Sequence, residues 1–158
     1  MIENQINEVN LFDEAYEKLG SVFQARDSKN PADISRLAAY LVHRTGDYNE
    51  DTIGGALQEL RTFLALISVK GRQVVSNELD AAFHGLLLHT EIAAEICKAL
   101  GIKRLAHFPT IDDAERAAVQ NEYETTIANL QRLAGPRFNA AYWPKDGMVC
   151  KCDIGRVI

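Results

Sequence analysis

Asp80 and His84 stand four residues apart in the run LDAAFHGLLLHTEIAAEIC, Leu79 to Cys97. On a helix that spacing sets a carboxylate beside an imidazole. Such a pair can serve as a general base, because the acid fixes the ring tautomer and raises its basicity. It can equally offer two ligands to a metal, with more supplied from elsewhere in the chain. Glu91 lies two turns beyond His84 and extends the same stripe. His89 is five residues from His84, so on one regular helix their rings diverge and cannot share an ion.

The other faces of this run carry different expectations. Leu79, Phe83, Leu86, Thr90, Ala93, Ala94 and Cys97 share one broad side, which reads as the core face. A free cysteine there acts as a small hydrophobe. Leu88 and Ile92 fall on the back, where a surface helix is ordinarily polar. They are the candidate seam of a homo-oligomer or a protein-partner interface.

Weaker candidates lie outside the run. Cys150 and Cys152 form a Cys-x-Cys whose spacing is tighter than that of four-ligand zinc sites, so free thiols are the expectation. His43 sits near a helix end, where a cation suits the negative pole. Trp143 has the size to anchor the last stretch of chain on the domain. The chain has no phosphate-binding glycine loop, no Gly-x-Ser-x-Gly elbow and no His-Glu-x-x-His. A conventional hydrolase or nucleotide-using enzyme therefore has no support in the motifs.

The elements that must position these groups are helical. Apolar residues recur at steps of three and four almost throughout, which predicts an all-α fold of about five helices, near 3–25, 31–45, 50–69, 77–100 and 111–134. Ile2, Ile6, Val9, Phe12, Tyr16, Leu19 and Phe23 make the first stripe. Asn30 and Pro31 open the second helix, and Gly46 ends it. Gly54 and Gly55 weaken the start of the third unless a close packing contact needs them. Val74 and Val75 make a short extended link, Ser76 caps the fourth helix, Gly101 stops it and Thr110 caps the fifth. Residues 136–158 read as an irregular tail of a single domain spanning 1–158.

The composition narrows the function classes. The 158 residues are 47% hydrophobic, which is enough for one core. A net charge of −5 and the lack of a basic cluster argue against nucleic-acid binding. No uncharged run approaches the ~20 apolar residues of a membrane span. No targeting segment is visible, and three cysteines, an odd number, suit a reducing compartment, so a cytoplasmic protein is expected.

The run ELRTFLALISVKGRQVVSNELDAAFHGLLLHTEIAAEICKALGIKRLAHFP resembles the bacterial glycine-rich-domain-containing proteins. The residues that carry the likeness are Phe63, Leu64, Leu79, Asp80, His84, Leu88, Thr90, Cys97, His107 and Pro109, over about a third of the chain. Phe83 stands where the family pattern has Trp, Leu86 where it has a second His, and His89 where it has Asp. Ala93 replaces a Tyr, and Ala106 the first of a His-His pair. The family has no settled activity, so the resemblance implies a site and not a reaction. It implies that Asp80, His84, Cys97 and His107 share one neighbourhood, with the HFP connector folded back beside the fourth helix.

The leading expectation is a small non-catalytic interaction or ligand-binding module, with a protein partner or a second copy of itself. A second is a metal-binding or redox protein built on Asp80, His84 and His107, with Glu91 and Cys97 as further candidate ligands. Its cofactor would be a divalent transition metal, though nothing in the sequence requires one. A third is an enzyme with His84 as general base and Asp80 as its orienting acid.

Overall fold

The third helical stretch is apolar through its middle, and the structure encloses residues 59–67, apart from half-buried Arg61, while Gly54, Gly55 and Gln58 stay exposed. A computed structural model describes residues 2–109, 112–145 and 155–157. In it α3 (Ile53–Lys70) buries Ala56, Leu60, Phe63, Leu64, Ala65, Leu66 and Ile67. A helix that is hydrophobic nearly all round must be enclosed by others. Here α1 (Ile2–Lys18), α4 (Asn77–Leu88) and α6 (Asp113–Ala134) pack against it. The fold is all-α, with one contiguous hydrophobic core among the described residues.

The first helix is shorter than its stripe predicts. It stops at Lys18, and turns carry the chain to Phe23. Phe12, Ala15, Tyr16 and Leu19 enter the core, whereas Ile2 and Ile6 stay exposed. The second helix starts later than Asn30-Pro31 suggests. Asp33 is its cap: one oxygen accepts from the Ser35 N–H and hydroxyl, and the other from the Arg26 and Asp27 N–H groups. These donors, the Ser35 hydroxyl foremost, hold the Asp33 carboxyl well below its usual range. The helix α2 (Ile34–Ala39) then widens into a π turn, Tyr40–Arg44.

The predicted fourth helix is two. Between α4 and α5 (Thr90–Leu100), His89 takes φ −92° and ψ 73°, outside the helical region. Its N–H donates to the Gly85 and Leu86 carbonyls, and its ring Nδ1 lies 2.7 Å from Gly85 O. The ring also stands edge-on to Tyr40, 5.1 Å between centroids. Gly85 is where α2 comes closest: a Cβ there would meet Leu37 and Leu41 side-chain carbons at 3.0 Å. The predicted close contact at the start of α3 exists at Gly55, whose missing Cβ leaves room for the Tyr142 hydroxyl.

The link at Val74 is more than a connector. β1 (Gln73–Val74), β2 (His107–Pro109) and β3 (Gly155–Val157) form a small antiparallel sheet in the order β1-β3-β2. The last part of the chain is thus not wholly irregular. Ser76 caps α4 as its sequence suggests, and Asp112 caps α6. No described helix is long and apolar enough to cross a membrane.

Trp143 does anchor the segment after α6. Its ring is buried against Phe63 and Tyr123, at 5.5 and 6.1 Å. Its indole N–H donates to Glu59 Oε1 at 2.7 Å, and the Tyr123 hydroxyl donates to Pro144 O. Glu59 itself is 1% exposed. Burial pushes its carboxyl up to about 7, against the pull of N–H donors from Trp143 and Asn139. The folded chain therefore holds this proton more tightly than the unfolded chain does. Its contribution to stability is complete below about pH 4.5 and is lost as pH rises through 7. Between pH 5 and 8 the parent chain is expected to lose about 2–3 kcal/mol more unfolding free energy than Glu59→Gln. Urea titrations of both chains across that range measure this, and the difference isolates Glu59 from every other titrating group.

Candidate functional site

The i, i+4 spacing on α4 does what the sequence suggests. The Asp80 Oδ2 and His84 Nε2 atoms are 3.4 Å apart. The third member comes from β2, where His107 Nε2 lies 3.3 Å from Asp80 Oδ1. The two imidazoles meet edge to face with centroids 4.6 Å apart. The His107 ring also packs on Phe83, 5.9 Å between centroids. One donor atom from each of Asp80, His84 and His107 fits within a 4.8 Å cluster. So the connector after α5 folds back beside α4, bringing together two groups twenty-three residues apart in the chain.

The three side chains differ in exposure. His107 is 6% exposed, Asp80 15% and His84 55%. The cluster therefore has a sealed back and an open front. Neither nitrogen of the His107 ring makes a hydrogen bond among the described residues. Burial, and then the neighbouring His84 ring, pushes this imidazole down to about 4. At neutral pH it is uncharged, with a lone pair directed among polar neighbours.

The other candidates are elsewhere. The break at His89 resets the helical phase, so Glu91 leaves the Asp80–His84 stripe. It lines a polar hollow with Glu95, Asp33 and Ser21 instead. The same reset places Ile92 and Ile96 in the core, and leaves Ala94 and Thr90 exposed. Cys97 is half-buried rather than a core residue. Its thiol, raised by burial, is directed to the Leu105 backbone and is not part of the ligand cluster. Leu88 is 67% exposed but Ile92 is fully buried by its own chain, so the two do not form a strip. His89 turns to Gly85 and Tyr40, away from His84. His43 faces Glu50 at the surface, 3.7 Å away. Cys150 and Cys152 lie outside the described residues.

Geometry thus keeps three of the five candidate ligands and drops Glu91 and Cys97. Compared with protein-family models, with curated proteins and with solved structures, the chain finds no match in any of the three.

A buried imidazole with neither nitrogen hydrogen-bonded costs stability. His107→Leu keeps most of the volume and removes that cost. The metal-free variant is expected to unfold at the same urea concentration as the parent or higher, by up to ~1 kcal/mol. A clear loss of stability would mean that the ring is there for packing alone.

Proposed function

We propose that the protein binds a divalent first-row transition metal through Asp80, His84 and His107. The observation that carries this reading is the His107 ring, buried without a hydrogen bond within 3.3 Å of one carboxylate and against a second imidazole. Ligands at about 2.1 Å from a tetrahedral ion stand about 3.4 Å from one another. The Asp80 Oδ2–His84 Nε2 and Asp80 Oδ1–His107 Nε2 separations, 3.4 and 3.3 Å, are of that size, each to a different carboxylate oxygen. Two imidazoles and a carboxylate suit zinc, iron(II) or a neighbouring ion better than calcium or magnesium.

Three protein ligands leave at least one position for water or a small ligand, and the exposed His84 side is where it would enter. Asp80 does double duty in this arrangement. Its two oxygens face different rings, so one carboxylate stands between the two imidazoles and brings a negative charge to both. The back of the site is apolar, with Phe83 against His107, which excludes water from the inner side. Three cysteines and an acidic surface are compatible with a reducing cytosol as its setting.

The test uses untagged protein, metal analysis and titration with zinc and cobalt(II). The expected outcome is one ion per chain, with a cobalt spectrum of four- or five-coordinate nitrogen and oxygen ligation. Asp80→Ala, His84→Ala and His107→Ala should each weaken binding at least about tenfold. Glu91→Ala and Cys97→Ser should bind as the parent does. Trace metal content together with no measurable affinity for either ion would remove the reading.

A further inference from the structure

The site's most buried residue, His107, stands on a short strand whose backbone pairs only with β3 among the described residues. β2 is three residues long and follows a connector that carries few backbone hydrogen bonds. Ile102 N–H returns to Cys97 O, and no described backbone–backbone bond outside the sheet involves residues 103–109. Phe108, beside the ligand, is exposed, and its ring lies 5.3 Å from the Arg72 guanidinium. The backbone of β2 pairs with β3, with His107 opposite Val157, Phe108 opposite Arg156 and Pro109 opposite Gly155.

The strand order decides what this pairing means. β3 is the middle strand, so β2 joins the sheet through β3 and not through β1. β1 does not depend on β3 in the same way. Its Val74 N–H donates to Thr126 Oγ1 at 3.0 Å, and Asn129 donates to the Gln73 side chain, both from α6. Asp80 and His84 are likewise fixed independently, on a helix that Ser76 caps and that buries Leu79, Ala82, Phe83 and Leu86. Two of the three residues are therefore preset by the helical core, and the third is positioned by β3.

We propose that β3 is the clamp of the metal site, so that metal binding and pairing of Gly155–Val157 between β1 and β2 are thermodynamically coupled. This rests on the metal-binding reading above. With β3 paired, His107 is held against Asp80 and His84, and the ion meets three preset ligands. With β3 displaced, the ion must also order β2, and affinity falls. The coupling runs equally in the other direction, so the bound ion holds the C-terminal strand in the sheet. Any partner that takes β3 away from β1 and β2 would loosen the metal, and any protease that reaches the C-terminus would do so more slowly in the metal-bound chain.

The experiment compares the full-length parent with Arg156→Pro/Val157→Pro. Proline removes the backbone N–H at two successive positions, so pairing fails towards both neighbours whichever side each N–H faces. Arg156→Ala/Val157→Ala keeps both N–H groups and is the control. The double proline chain is expected to bind zinc about tenfold more weakly or worse, with the helical circular dichroism of the metal-free chain unchanged. The alanine control should bind as the parent does. As the reciprocal measurement, amide exchange in a C-terminal peptide covering 155–157 should slow several-fold when zinc is added to the parent, and not in His107→Leu. A double proline chain that binds like the parent, or exchange that zinc leaves unchanged, overturns the coupling while the site stands. A parent chain that takes up no metal overturns the metal reading and the coupling with it.

Discussion

A neutral imidazole can be buried at little cost only if its two nitrogens make hydrogen bonds, and at His107 they make none among the described residues, although Asp80 Oδ1 stands 3.3 Å from Nε2. The rest of the site is arranged around that one ring. Phe83 closes it from the core side, His84 stands edge-on to it and Asp80 approaches its Nε2. All three belong to α4, within five residues of one another. The helix repeat alone lines up the carboxylate and the exposed imidazole, while their neighbour Phe83 points into the core. One turn and a half of helix thus supplies the apolar wall, the carboxylate and the exposed imidazole, and β2 adds the second imidazole.

The helix that carries these groups ends early, at Leu88. A continuous helix from Asn77 to Leu100 would carry Asp80, His84 and Glu91 down one side and Leu79, Phe83, Leu86 and Cys97 down another. His89 interrupts it, and its ring takes the Gly85 carbonyl. The half before the break then packs on α3 and on the π turn after α2, and the half after it rotates to bury Ile92 and Ile96. The break is local chemistry with a long-range effect. It separates Glu91 from the ligand cluster and turns an apparent hydrophobic back, Leu88 and Ile92, into one exposed and one buried residue.

The parts legible in the sequence are those set by local rules. The all-α class, the long third and last helices, the Ser76 cap and the Asp80–His84 pairing all follow from periodicity, capping chemistry and i, i+4 spacing. Trp143 as an anchor follows from its size. What the sequence hid was set by partners far along the chain. His89 has no helix-breaking character of its own; Tyr40 and the Gly85 carbonyl give it one. Asp33 outcompetes Asn30 as a cap because Arg26 and Asp27 turn their N–H groups towards it from the preceding loop. The strands of two and three residues carry no alternation long enough to read, and their pairing spans some fifty to eighty positions of sequence. His107 reached the candidate list through the HFP pattern of a resemblance, since no spacing rule links it to α4.

Two buried titratable groups lie at opposite ends of one run of packed rings, Trp143, Phe63, Phe83 and His107. They are treated differently. Glu59 is enclosed, but Trp143 and Asn139 direct N–H groups at it, and these tie the segment after α6 to α3. Its burial therefore has a structural explanation: the carboxyl latches the chain. His107 makes no such hydrogen bond among the described residues, with only the Asp80 carboxylate near its Nε2. The contrast between a buried acid that the fold satisfies and a buried base that it leaves unsatisfied, beside a carboxylate and a second imidazole, is the physical reason for placing a ligand at the second and not at the first.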